Sequence, residues 1–221
     1  MLVAFEGMDG VGKSTVAKAV AKKINFRHEK QRLTNILDIS DEVFNKLVKV
    51  IRTSENEYMG FVFYTLRCML DKDIKENTIV ERSMISTYYF EHNKVSKEEF
   101  QKVMNYNLIP NITFILYASK DVRKERIYKR NINDSDLKSD EALNDGYNTM
   151  LNFTREFNIP YVGIDTEKYS FEEIINICIE TIINYKLLSK EEQIKYLDEQ
   201  NKIYGFENKY DCGKVLKYEK I

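Results

Sequence analysis

The sequence predicts a three-layer α/β domain: helices on both faces of a five-stranded parallel sheet, followed by a C-terminal extension. Three observations predict it. Runs of strand length recur at residues 2–5, 25–29, 78–81, 112–117 and 161–164. Between them lie longer segments whose apolar residues recur three and four apart, the period of a helix with one buried stripe. A Gly-rich turn joins the first run directly to the first such segment, and strands that alternate with helices pair in parallel.

The elements follow in order. Residues 2–5 are a short apolar run, read as a buried strand. Residues 14–24 carry Val16, Val20 and Ile24 four apart, a helix. The run at 25–29 is the poorest of the five in apolar residues. Residues 41–52 place Val43, Phe44, Leu47, Val48 and Ile51 on one helical stripe, and residues 58–75 do the same with Met59, Phe63, Leu66 and Leu70. Ser96 and Glu99 form a capping box that starts a helix over 97–106. Helices are expected at 119–130 and 139–157, separated by a polar stretch, and a second capping box, Ser170 with Glu173, starts a helix to about residue 188. These elements complete a domain over 1–188, with a basic lid at about 123–140. A third capping box, Ser189 with Glu192, opens an extension over 189–221 that ends in a hairpin around Asp211-Cys212-Gly213. The extension is open to three readings: cover for a sheet edge, a homodimer contact, or a disordered end.

Composition narrows the function. With 43% apolar and 31% charged residues, 221 residues can bury a core without metal or disulfide staples. A net charge of −1 disfavours a nucleic acid partner, which calls for a basic surplus. Cys68, Cys178 and Cys212 form no C-x-x-C pair and read as buried or incidental thiols. No apolar run approaches the roughly 20 residues that span a bilayer, and the first residues lack a signal-peptide pattern, so a cytoplasmic protein with no membrane partner is expected.

The most specific motif is Gly7-Met8-Asp9-Gly10-Val11-Gly12-Lys13-Ser14, a full G-x-x-x-x-G-K-S/T between a strand and a helix. Glycines let the backbone turn its N–H groups onto a phosphate, and the helix N-terminus adds partial positive charge. Lys13 then reaches the β- and γ-phosphates and Ser14 holds Mg²⁺, so ATP and Mg²⁺ are the expected cofactors. Gly7, Asp9, Gly10, Val11, Gly12, Lys13, Ser14 and Thr15 are the candidate phosphate-binding residues. A guanine-reading N-K-x-D is absent, since Asn93-Lys94-Val95-Ser96 lacks the Asp, and no strand ends in the paired acids of a motor ATPase. A small kinase acting on a small acceptor remains.

The stretch Phe5-Glu6-Gly7-Met8-Asp9-Gly10-Val11-Gly12-Lys13-Ser14-Thr15 resembles the F-E-G-x-D-G-x-G-K-S-T opening of the thymidylate kinase family, and a looser resemblance extends to about residue 185. It implies a nucleoside monophosphate kinase-like fold, with Asp9 near the acceptor's sugar hydroxyl. Phe63-Tyr64-Thr65-Leu66-Arg67 looks like the family's F-x-x-x-R, which implies that Phe63 stacks on the acceptor base and Arg67 contacts its edge. The plainer reading of Phe63 is a core aromatic.

Glu81-Arg82-Ser83 closes the third strand, at the sheet edge where ligands bind. Arg82 there suits an acceptor phosphate, and Glu81 suits Mg²⁺, its water or the acceptor's proton; a strand-end ion pair is the alternative. The family's pattern here is D-R-Y/F. The E-R-S of this chain, with Ser86 three residues on and Tyr89 beyond, is similar to the E-R-S-x-x-S of deoxynucleoside kinases. Those enzymes usually place a catalytic Glu near the end of strand two, where Glu29 stands here, while the thymidylate kinase P-G-G-T is absent. Arg123-Lys124-Glu125-Arg126-Ile127-Tyr128-Lys129-Arg130 resembles the R-I-x-x-R that opens the lid in both families, and a solvated basic helix face would look similar.

The expected catalytic set is Lys13, Asp9, Glu81, Arg82, Arg126 and Arg130, with Asp9, Phe63, Arg67, Arg82, Ser86 and Tyr89 at the acceptor and Ser14 and Glu81 at the metal. The expected reaction is transfer of the γ-phosphoryl of ATP to a deoxynucleotide, dTMP first, on small-molecule partners, with a homodimer possible. Two alternatives stay open: a deoxynucleoside kinase, and a non-catalytic nucleotide-binding module.

Overall fold

The computed structural model describes residues 1–30, 32–70, 74, 76–134, 137, 145–206 and 209. Five parallel strands form one sheet in the order β2-β3-β1-β4-β5: β1 (Leu2–Glu6), β2 (Arg27–Glu29), β3 (Thr78–Glu81), β4 (Ile112–Tyr117) and β5 (Tyr161–Asp165). The expected fold class is observed. Four strands are buried along their whole length, as a parallel sheet covered on both faces requires. The edge strand β2 is only three residues long and exposes Arg27, which is why its apolar pattern is faint.

Alternate residues of β1 serve opposite faces. Val3 and Phe5 face a core built with α1 (Lys13–Lys23) and α9 (Phe171–Leu187). Leu2 and Ala4 pack with Val80 on the other. A second core, around Ile115 and Tyr117, gathers α4 (Tyr58–Met69), α5 (Met84–Glu91), α6 (Lys97–Met104) and α8 (Tyr147–Glu156). The three expected capping boxes are formed, each with the Ser hydroxyl and the Glu carboxylate reciprocally bonded to backbone N–H groups.

Several expectations are corrected. Two helices were not read from the sequence: α2 (Arg32–Leu37) and α5. α5 follows Ser83, whose hydroxyl accepts from the Ile85 N–H, and its eight residues are too few to show a helical period. α4 ends at Met69, six residues short of the expected end. Its buried face is Phe61, Thr65 and Cys68, whereas Met59 and Leu66 of the expected stripe are exposed. In α3 (Asp41–Arg52) only Phe44 and Ile51 of the expected stripe are buried. α7 (Lys120–Arg130) matches its expectation; the start of the helix expected at 139–157 and the hairpin around Asp211 lie outside the described residues.

Beyond residue 188, α10 (Lys190–Tyr204) packs against β5, the far edge of the sheet. The Asn201 side chain stands in for a sixth strand: its Oδ1 accepts from the Gly163 N–H at 2.7 Å and its Nδ2 donates to the Tyr161 carbonyl at 2.9 Å. Phe206 is fully buried, stacked on Tyr117 at 4.8 Å. Asn201→Ala leaves two edge groups of β5 without these partners and is expected to cost about 1–3 kcal/mol in urea unfolding.

Candidate active site

The pairing of β1 with β3 builds the site. Their register sets Phe5 beside Glu81, and the Arg82 N–H donates to the Phe5 carbonyl at 2.9 Å. The loops that leave the two strands therefore open into one crevice at the carboxyl edge of the sheet. Arg82 adopts φ 65°, a left-handed conformation that costs a non-glycine residue about 1–2 kcal/mol. The turn aims its guanidinium back across the crevice, where it donates to the Asp9 carboxylate and, at 3.1 Å, to the Ser86 hydroxyl.

Glu6, fully buried at the end of β1, locks this turn. Its carboxylate accepts from the Ser83 N–H at 2.5 Å, the Ser83 hydroxyl at 2.7 Å and the Ser86 hydroxyl. Ser86 thus links a buried carboxylate to the Arg82 guanidinium. Glu6 was not singled out in the sequence, although a carboxylate ending an apolar strand is itself an anomaly that could have drawn notice.

The Gly-rich segment wraps into the N-terminus of α1. Gly12 stands at φ 98°, a Cβ there would meet no atom of the described residues within 4 Å, and the residue lines a cavity. Gly10 instead lies against α7: a Cβ would come within 2.7 Å of the Arg123 carbonyl. Buried Arg123 donates to the Asp9 carbonyl at 3.3 Å, and Arg126 donates to the Val11 carbonyl at 3.3 Å and to the Thr166 hydroxyl at 2.9 Å. The loop is thereby tied to α7 and to the end of β5. Arg130 pairs with Asp134.

A cavity of about 510 Å³ opens over this loop, with Gly12, Lys13, Ser14, Glu81, Arg126 and Arg130 in its wall. Lys13 donates to the Met8 carbonyl at 2.9 Å and lies 3.5 Å from Asp9. Burial, and then the nearby Arg82 charge, pull its ammonium down to about 8, against the pull of Asp9, Glu6 and Glu81. Burial alone would raise the Asp9 carboxyl, but Arg82 and Lys13 outweigh it and hold it below the ordinary range.

Ser14 donates to one oxygen of Glu81, and His28 Nε2 lies 2.9 Å from the other. Burial would raise Glu81; the bonds from His28 and Ser14 and the charges of His28 and Lys30 keep it below its ordinary value. A hydroxyl beside an ionised carboxylate is a hard-oxygen donor set that fits Mg²⁺, which takes one or two protein oxygens together with substrate phosphates. The open Gly12 cradle at a helix N-terminus likewise fits a polyphosphate.

A second cavity of about 260 Å³ adjoins the first, and Lys30, Glu81 and Arg82 line both. Arg67 and Ser86 line it. Two aromatic expectations miss by one residue. Tyr64 faces the cavity, while Phe63 packs on Phe44 at a ring separation of 6.0 Å. Phe90 faces it, with its ring 5.4 Å from the Arg82 guanidinium carbon, while Tyr89 packs on the second core, with its ring over Gly146. One residue turns a helix by about 100°, which exchanges one face for the next. Lys30 and Arg52 also line the cavity and were not anticipated. Lys30 directly follows a strand end, a position the sheet-edge rule marks for ligands. Glu29 instead pairs with Arg27 at 2.5 Å and is buried.

Glu6→Ala strips four donors, the N–H and hydroxyl of Ser83 and of Ser86, of a buried charged acceptor. It is expected to destabilise the protein by about 2–3 kcal/mol in denaturant titration, and to weaken whatever ligand Arg82 holds, as titration calorimetry would read.

Comparison with known proteins bears on the family and the fold. The thymidylate kinase family profile matches residues 5–176. A probable thymidylate kinase of Methanocaldococcus jannaschii is 27% identical over 188 residues, covering 80% of this chain and 92% of that protein. Among solved structures, a deoxyadenosine kinase from M. mycoides with dCMP and dCDP bound is similar at a TM-score of 0.58 and 18% identity, covering 83% of this chain and 100% of that one. A thymidylate kinase from Ehrlichia chaffeensis is similar at 0.56 and 16%, covering 82% and 97%. With its phosphate loop, its parallel sheet and a family match over most of its length, the chain belongs to the thymidylate kinase family of nucleotide kinases.

Proposed function

We propose that the protein transfers the γ-phosphoryl group of ATP to a deoxynucleoside monophosphate. One observation carries the choice of acceptor. Lys30, Arg52, Arg67 and Arg82 all line the cavity beside the phosphate loop, against the single carboxylate of Glu81 among the described residues there. A monophosphate brings a dianion to a wall with four cationic side chains and one carboxylate, whereas a neutral nucleoside brings no charge there. The position after strand two supports the same reading, because the residue lining the crevice is Lys30 and not Glu29.

In this reading the loop amides and Lys13 hold the β- and γ-phosphates of ATP, and Arg82 with Lys30 holds the acceptor phosphate at the junction of the two cavities. An oxygen of the acceptor phosphate attacks the γ-phosphorus, and the bond to the β–γ bridging oxygen breaks to release ADP. Lys13, Arg126 and Arg130 stabilise the charge that spreads over the transferred group. Mg²⁺ bound by Ser14 and Glu81 would neutralise charge on the donor phosphates. Asp9 fixes the direction of Arg82 and Lys13.

The second reading, a nucleoside acceptor, has the Glu81-Arg82-Ser83 sequence in its favour. It would ask Glu81 to accept the proton of a hydroxyl, a task for which a carboxylate held below its ordinary range is a weak base.

ADP release measured over a panel of nucleosides and monophosphates decides. Turnover with monophosphates, dTMP among them, is expected; phosphorylation of nucleosides with monophosphates untouched would overturn the acceptor assignment, and tight ATP binding with no acceptor-dependent ADP release would leave a binding module. Lys13→Ala should abolish turnover.

The pH dependence follows from Lys13. Its free-protein value of about 8 means that ATP meets an ammonium below that pH and an increasingly neutral amine above it. Affinity for ATP should be flat at neutral pH and fall as pH rises through about 8, as calorimetry at a series of pH values would read. Stability should move the other way between about 8 and the ordinary lysine range, because there the unfolded chain binds the proton and the folded one does not.

A further inference from the structure

The acceptor cavity continues past Arg52, Tyr64 and Phe90 into a further hollow of about 260 Å³, since those three residues line both. The hollow reaches the far end of α5, where Glu91 and Lys94 stand in its wall. From Ser83 at the start of α5 to Glu91 at its end the helix rises about 12 Å. That length suits a mononucleotide with its phosphate on Arg82 and its base at the hollow. We propose that Glu91 makes this pocket select a base bearing an exocyclic amino group (cytosine, adenine or guanine) over thymine. The proposal rests on the reading of the cavity as the acceptor site.

The carboxylate is held in a prepared place. Glu91 is 4% exposed, and its two oxygens lie over Gly60 of α4, where a Cβ would come within 2.4 Å of Oε1 and 2.8 Å of Oε2. A glycine in a helix interior costs about 1 kcal/mol relative to alanine, and here it leaves room for the carboxylate. Lys94 Nζ lies 3.3 Å from Oε2, which favours the ionised form. An ionised carboxylate only accepts hydrogen bonds.

The base edges differ in what they offer it. Cytosine and adenine present an amino group, and guanine presents an amino group beside a ring N–H, a pair that both oxygens can accept. Thymine presents one ring N–H flanked by two carbonyls, so a carboxylate that takes that proton sets its other oxygen against a carbonyl. Arg52 and Arg67 supply donors for a base carbonyl or ring nitrogen, and Tyr64 and Phe90 supply apolar walls.

The test compares kcat/KM for acceptors that differ at the amino group, 5-methyl-dCMP against dTMP and dGMP against deoxyinosine monophosphate, with ATP saturating. The amino-bearing member of each pair that is turned over should be preferred by roughly 10–100-fold, the range for one hydrogen bond to a charged group. Glu91→Gln, which offers a donor as well as an acceptor, should bring the ratio toward unity, mainly through KM for dTMP. Parity or a preference for dTMP in the unmodified protein overturns the proposal, as does an unchanged ratio in a folded Glu91→Gln variant. If Glu91→Gln fails to fold, the two pairs measured on the unmodified protein decide alone. If only nucleosides are phosphorylated, the monophosphate reading fails, and the same pairs run as nucleosides still decide the role of Glu91.

Discussion

Two adjacent parallel strands, β1 and β3, end side by side, and the site is what leaves their carboxyl ends. The register sets Phe5 beside Glu81, and the Arg82 N–H bonds the Phe5 carbonyl. From that point one chain turns into the Gly-rich loop and the other into the left-handed turn at Arg82. The Asp9–Arg82 contact bridges the two. Without the pairing, residues 73 positions apart would have no reason to meet, and neither loop alone makes the crevice.

Charge is arranged around that junction by opposition. Glu6 is buried beneath it, Asp9 and Glu81 flank it, and Lys13, Lys30 and Arg82 face the cavities. Each carboxylate is held by donors, so none is left as a bare buried anion. Cations outnumber carboxylates among the described residues that line the second cavity. In the proposed function, a phosphate arriving there would replace water around groups that are already oriented, which is how such a site lowers a barrier without reorganising at the moment of transfer.

The end of the chain serves the opposite edge of the sheet. Among the described residues β5 has no neighbouring strand beyond it in the sheet, and α10 covers it through the amide of Asn201. Side-chain pairing of an edge strand blocks the addition of a foreign strand. Of the readings that the sequence left open for residues 189–221, cover for a sheet edge describes the part up to Phe206.

The fold class and the phosphate loop were legible in the residues, because local rules govern them: strand and helix periods, capping boxes, and a glycine spacing that only a tight loop needs. Glu81 and Arg82 were legible because a strand end in a parallel sheet has one destination. The faces of α4 and α5 were not. α4 is apolar nearly all round and α5 spans only eight residues, so neither shows a single stripe, and which side is buried depends on what packs against it. That is why Phe63 and Tyr89 were named where Tyr64 and Phe90 line the cavity. Glu6 and Lys30 stand at strand ends, where the sequence carries a signal for them; Arg52 and Glu91 became visible only in the structure, since a charge on a helix carries no mark of the pocket into which tertiary packing turns it.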